Sequence, residues 1–267
     1  MKHLSIDIET YSSVNISKAG AHKYAESEDF EVLLFAYKED AQPTKVIDLA
    51  SGEKIPPHIV TALSDASIIK HAFNAAFEWI CLNGAGYSTP IEQWRCTMIH
   101  GLYCGYPAGL EAIGKAIGLP EDKQKLSAGK ALINYFCKPC KPTKSNGSRS
   151  RNLPKHAPEK WELFKEYNAQ DVEAEKLTTH PVPEATWLAW VEDIGINSRG
   201  VAIDDRLLTG ALTLDDMSTA ELLDEARAIT GLSNPNSNAQ LLGWVKSQGI
   251  DVDNLRKDTV SDLLDGE

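Results

Sequence analysis

Residues 3–10 read HLSIDIET, a strict period-two alternation that makes the start of this chain a β-strand. Leu4, Ile6 and Ile8 share one face, and Ser5, Asp7 and Glu9 share the other. With a rise of about 3.3 Å per residue, the Cα atoms of Asp7 and Glu9 stand about 6.6 Å apart. Two acids that close repel, and burial raises the cost of charging either. A divalent cation between them removes both penalties, so the strand predicts a metal site. An isolated Asp-x-Glu at a strand end usually faces water. The prediction therefore requires further ligands along the chain.

Up to residue 73 the pattern is mostly strand. EVLLFAYK (31–38) and TKVIDL (44–49) read as a hairpin, Pro56 and Pro57 open one short helix to about Leu63, and SIIKHAF (67–73) is another apolar strand. From Ala75 helical spacing dominates, over 75–84, 97–104, 109–117, 127–136 and 159–177. Between the last two, 138–158 is rich in Pro, Ser, Gly and Lys and reads as a long mobile loop. Strands and helices in this order predict an α/β fold, a mixed sheet flanked by helices. His180-Pro-Val-Pro183 marks a boundary, which divides the chain into domains 1–180 and 181–267. The second is all helical, over about 184–196, 204–229, 237–248 and 257–264. Asp204 and Ser237 are its expected N-caps, and Gly249 a C-terminal stop.

The net charge of −11 argues against a nucleic-acid partner until it is split. Residues 1–180 hold 21 Lys+Arg against 22 Asp+Glu, whereas 181–267 hold 6 against 16. The acidity belongs to the last third. Within the first part, Lys138, Lys141, Lys144, Arg149, Arg151, Lys155 and Lys160 are opposed only by Glu159. Such a stretch either attracts phosphates or is simply a solvated loop. Five cysteines at irregular spacings do not form a disulfide framework, which points to a reducing compartment. The N-terminus runs straight into strand with no signal-peptide pattern, and no apolar run has membrane-spanning length. No membrane partner is expected.

Two later segments complete an acidic constellation. HAFNAAFEW (71–79) places Asn74 and Glu78 just after a short strand. WELFKEYNAQDVEAE (161–175) is an amphipathic helix in which Tyr167 and Asp171, at i and i+4, share a face. Alone, either is surface or packing. Together with Asp7 and Glu9, in that order, they are far more specific.

These three motifs resemble the DEDDy class of 3′–5′ exonucleases, with an RNase H-like fold, over roughly residues 1–180. More narrowly, the segment resembles the proofreading domain of phage-type family A DNA polymerases. Asp7 and Glu9 match the first motif, Asn74 and Glu78 the second, Tyr167 and Asp171 the third. The second motif normally ends in Asp, so Glu78 sets its carboxylate one methylene further out. The resemblance implies two divalent cations, Mg²⁺ or Mn²⁺, held by Asp7, Glu9, Glu78 and Asp171. It implies that Tyr167 and Glu9 orient the attacking water, and that Thr10, Asn74 and Phe77 contact the substrate. It also implies single-stranded DNA 3′ ends as substrate, nucleoside 5′-monophosphates as product, and the cytoplasm of a bacterial or phage-infected cell as location. The same chemistry on RNA, or a non-catalytic module that docks a polymerase, are the alternatives. Residues 194–208 resemble the segment where family A polymerases leave the exonuclease domain and begin the polymerase region, and 234–249, followed by a helix at 257–264, resemble the thumb motif, without palm carboxylates or a fingers helix. Polymerisation by this chain alone is not expected, and a separate palm-and-fingers chain is a candidate partner.

The remaining signals are weaker. Cys137-Lys-Pro-Cys140 has the spacing of half a zinc site or a redox pair, but lacks a second Cys/His pair and the strand–helix context. Cys81, Cys96 and Cys104 read as packing residues, and His71 and His100 as core or surface histidines rather than ligands. Ser127-Ala-Gly-Lys130 lacks the first Gly of a phosphate-binding loop.

Overall fold

Strand β1 (His3–Tyr11) is covered on both faces, so that from Ile6 to Tyr11 every residue is buried, polar ones included. The computed structural model describes residues 1–118, 129–174 and 181–265, with backbone alone at 173, 174 and 265. Strand β2 (Glu31–Glu39) runs antiparallel to β1, and β3 (Lys45–Asp48) antiparallel to β2, which is the expected hairpin. Strands β4 (Ile69–Ala72) and β5 (Trp94–Cys96) lie parallel on the other side of β1. The order β3-β2-β1-β4-β5, antiparallel on one side of β1 and parallel on the other, is RNase H-like. The register of β1 against β2 shifts between Glu9 and Thr10, a bulge immediately beyond the acid pair.

Alternation along β1 sorts its side chains into two cores. Leu4, Ile6 and Ile8 pack with helices α1 (Ile16–Ala25), α2 (Pro57–Ser64) and α3 (Ala75–Gly84). On the other face Tyr11 packs with α6 (Gly129–Phe136) and α7 (Pro158–Ala174) through Leu132, Phe136, Trp161, Phe164 and Tyr167. Trp161 Nε1 donates to Asp48 Oδ2 at 2.7 Å, which ties the start of α7 to the end of β3. Two short helices, α4 (Thr97–Tyr103) and α5 (Leu110–Ala116), follow β5.

Two elements depart from the sequence reading. Helix α1 was not expected, and Gly20 shows why: at φ 80° it kinks the helix and breaks the regular spacing of apolar residues. Strand β5 has three residues, too few for period two to show. The loop 138–158, expected to be mobile, holds 3₁₀ turns at Lys144–Asn146 and Pro154–His156 and a dense set of hydrogen bonds. The ends of the expected helices at 127–136 and 159–177, and the beginning of the Ser127–Lys130 segment, lie outside the described residues.

The chain divides into compact units Met1–Gly200 and Val201–Glu267, later than the Pro-Val-Pro boundary, of which His180 is not described. The reason lies in α8 (Glu184–Arg199), whose Trp187, Trp190 and Ile194 join the first core. Arg95 holds that helix from β5, stacked over Trp187 at 5.4 Å. The second unit is helical, with α9 (Asp205–Thr230), α10 (Asn238–Ser247) and α11 (Lys257–Asp265). Asp204 caps α9 by accepting from the Arg206 and Leu207 N–H groups, and Ser237 caps α10 through Gln240 N–H, as read from the sequence. Among the described residues no helix is long and apolar enough to cross a membrane.

Candidate active site

The fold brings the acids of all three motifs into one buried neighbourhood. Asp7 and Glu9 come from the centre of β1, Glu78 from the first turn of α3, and Tyr167 and Asp171 from α7. All five side chains are buried. The water-facing reading of Asp-x-Glu fails here because α6 and α7 cover that face of β1.

Glu78 is strongly perturbed. Burial pushes its carboxyl well above the usual carboxylate range, and the charges of Asp7, then of Glu9 and Asp171, push it the same way. Its Oε2 is buried with no hydrogen-bond partner, a costly state for a polar atom. A hard cation accepted by these carboxylate oxygens would satisfy that atom and offset the repulsion. The donor set therefore fits a divalent ion. As they stand, no three Asp, Glu, His or Cys side chains among the described residues close into a coordination shell.

Tyr167 stands beside this cluster. Burial, reinforced by Asp171, raises its phenol above the usual tyrosine range, so the hydroxyl stays protonated and donates to Asp171. The ring stacks on Phe164 with centroids 6.1 Å apart. Its other neighbour is Gly129 of α6, so close that a Cβ there would lie 2.0 Å from Tyr167 Cε2.

Two residues not anticipated as part of the site touch its acids. Asn168, fully buried, donates from Nδ2 to Asp7 Oδ2 at 2.6 Å and to the Asp7 carbonyl at 3.2 Å. A signal was available, because Asn next to Tyr167 in the middle of a helix is a poor helix former and, once buried, needs a dedicated partner. The Cys137 thiol donates to Glu9 Oε2 at 3.7 Å. Burial, then the Glu9 charge, pushes that thiol well up, so it stays protonated and is no redox nucleophile. Cys140 is turned to its own loop, with Sγ 3.4 Å from the Arg149 carbonyl. Cys81 and Cys96 are packed as expected, whereas Cys104 is only half-buried.

Beside Glu9 opens a pocket of about 510 Å³. Thr10 and Phe77, both expected to contact substrate, line it together with Tyr24, Asn15, Ile133 and Lys138. Thr10 Oγ1 is 2.9 Å from the Tyr24 hydroxyl, and the Tyr24 and Phe77 rings are 6.2 Å apart. Asn74, the third expected contact, lies outside this pocket. It is exposed and left-handed (φ 64°), and its side chain does not cap α3.

Sequence comparison sets this geometry in context. Over 99% of its length the chain is 46% identical to a DNA polymerase of Bacillus phage SP02. The chain is related to a phage DNA polymerase. It spans 42% of that polymerase relative's length. No protein-family model matches the chain. Among solved structures, Brucella melitensis NrnC with bound Mg²⁺ is 17% identical, with coverage of 75% of this chain and 87% of that one and a TM-score of 0.40. Trypanosoma brucei RNase D in complex with RNA U12 is also 17% identical, over 76% of this chain and 66% of that one, with a TM-score of 0.46. Neither bears on the chemistry of the site.

Proposed function

We propose that this chain is a divalent-metal-dependent 3′–5′ exonuclease that removes nucleoside 5′-monophosphates from single-stranded DNA 3′ ends, the proofreading part of a family A polymerase. The observation that carries the reading is the buried Glu78 carboxyl, its Oε2 without a hydrogen-bond partner, in the field of Asp7, Glu9 and Asp171. The relation to a phage polymerase supports DNA as the substrate class.

Asp7, Glu9, Glu78 and Asp171 would hold two Mg²⁺ or Mn²⁺ ions. When bound, such ions activate water and neutralise the charge that develops on phosphate and leaving oxygen. Tyr167, kept protonated by burial, orients the attacking water by hydrogen bonding, with Glu9 as the acceptor on its other side. Asn168 keeps the Asp7 carboxylate in one orientation. The pocket beside Glu9, with Thr10 on its wall and Phe77 offering a ring face, receives the terminal nucleoside. Asn74, exposed ahead of α3, is the contact to DNA near the scissile end.

For Val201–Glu267 we propose a palm-and-fingers polymerase region as partner. Its longest helix, α9, buries no residue, and Leu207, Leu212 and Leu222 on it are exposed.

The test is a time course on 5′-labelled single-stranded DNA with Mg²⁺ or Mn²⁺. A ladder of products shortened from the 3′ end is expected, and Asp7→Ala should abolish it. Intact DNA after long incubation with the wild-type chain would sink the proposal. Faster shortening of a matched RNA would transfer it to RNA. Glu78→Asp should preserve or raise activity.

A further inference from the structure

The basic stretch between α6 and α7 plays no part in the chemistry above, yet its cations fall into two groups. One group is spent on holding the loop in shape. Arg149 donates to Asn152 Oδ1 at 2.8 Å and to the Asn146 carbonyl at 3.0 Å. Asn152 in turn donates to the Tyr135 carbonyl at 2.9 Å, and Cys140 N–H to the Ser150 carbonyl at 2.7 Å. Arg151 pairs with Glu31 and lies over the Tyr11 ring, 3.8 Å from its centroid. Tyr11 follows Glu9 by two residues on β1, so this anchor fastens the middle of the loop to the acid-bearing strand.

The other group is displayed. Lys141, Lys144 and Lys155 are exposed, and none has an acidic side chain within ion-pair distance among the described residues. The loop leaves α6 at the site itself: Cys137 touches Glu9, and Lys138 and Pro139 form part of the pocket wall. It returns into α7, the helix of Tyr167 and Asp171. A hydrogen-bonded frame whose first residues line the pocket thus carries three exposed cations with no acidic partner among the described residues.

That juxtaposition has a physical purpose. A polyanion that must reach four carboxylates meets repulsion at close range, and fixed positive charge on a loop that starts at the pocket wall offsets it. A pre-ordered loop does so without the entropy cost of arranging a flexible one. We infer that residues 138–157 form a preorganised guide for the phosphodiester backbone of a single strand, with Lys141, Lys144 and Lys155 as its phosphate contacts and Lys138 at the pocket end. This rests on the nucleic-acid reading of the site, and it adds a binding surface that the catalytic motifs do not include.

The experiment measures binding of fluorescein-labelled oligothymidylate to the full chain by anisotropy, in EDTA, across a salt series. The variant carries Lys141→Gln, Lys144→Gln and Lys155→Gln, and circular dichroism establishes that it is folded. Its plot of log affinity against log salt should flatten by about 2, at about 0.7 for each phosphate of a single strand that is no longer neutralised. A charge-matched control with Lys2→Gln, Lys45→Gln and Lys54→Gln should keep the wild-type slope. An unchanged slope in the loop variant, or equal flattening in the control, overturns the guide. Polyglutamate competing as strongly as oligothymidylate of equal charge would assign the loop to an acidic protein partner and overturn it too. The measurement needs no hydrolysis. A flattened slope in a protein that never shortens DNA keeps the guide and removes the nuclease, and shortening with an unchanged slope does the reverse.

Discussion

Asn168 grips Asp7 at two points, the carboxylate Oδ2 at 2.6 Å and the main-chain carbonyl at 3.2 Å, across 161 residues of sequence. One amide group thereby sets both the strand backbone and the side-chain angle of the central acid. A buried hydrogen bond to a charged group is worth about 1.5–3 kcal/mol. If Asp7 holds metal as proposed, Asn168→Ala should lower turnover on oligonucleotide by about 10–100-fold, the usual effect of losing a residue that orients a metal ligand. Asn168→Asp should be worse, since it sets a second acid against Asp7. Turnover at saturating metal and the metal concentration for half activity are the readouts. Wild-type values of both in Asn168→Ala would reduce the contact to a packing role.

Gly129 and Tyr167 give a steric prediction. A Cβ at residue 129 would lie 2.0 Å from the Tyr167 ring, far inside contact distance, so Gly129→Ala must shift either α6 or the ring. An overpacked core site costs about 1–3 kcal/mol. Thermal unfolding should show that loss, and turnover should fall by a larger factor than in Tyr167→Phe, which keeps the ring in place.

The raised Glu78 carboxyl links stability to pH and to metal. In the metal-free protein the native state holds its proton above the pH at which the unfolded chain releases it. The stabilising contribution is complete below the ordinary carboxylate range and is lost as pH rises through the raised native value. Melting in EDTA should thus weaken from acid toward neutral and alkaline pH, and added Mg²⁺ or Mn²⁺ should restore most where the loss is greatest. Glu78→Gln, which copies the neutral form, should flatten the pH dependence and shrink the gain from metal.

Lys70 carries the opposite sign. Its fully buried ammonium donates to the Asp65 carbonyl at 2.6 Å, and burial lowers it to about 8, with Asp65 opposing. Below that value the charged group is buried at full cost. Between there and the unfolded value of about 10.4 the unfolded chain binds more protons, and stability rises with pH. Lys70→Met should raise the melting temperature at pH 7, by a margin that narrows steadily toward pH 10. A constant margin would show that packing alone is responsible.

Much of this fold and its site could be read from local pattern. The alternation around Asp7 and Glu9, the i and i+4 pairing of Tyr167 with Asp171, and the caps at Asp204 and Ser237 are all short-range regularities, and each recurs in the fold. Features with no short-range regularity were missed. Gly20 interrupts α1, β5 is three residues long, and α8 is claimed for the first unit by tryptophans whose partners are far away in sequence.

By itself, then, the sequence determined that β1 is a strand with two acids on one face, and that later acids arrive in an order that fits them, because side-chain periodicity and helical spacing are local. Only the tertiary structure decided that these acids are buried, that Glu78 is left with an unsatisfied oxygen, and that Asn168, Cys137 and Gly129 shape their surroundings. Burial and partnership depend on which helices close over each face of the sheet. That is settled by packing between segments with no shared local signal.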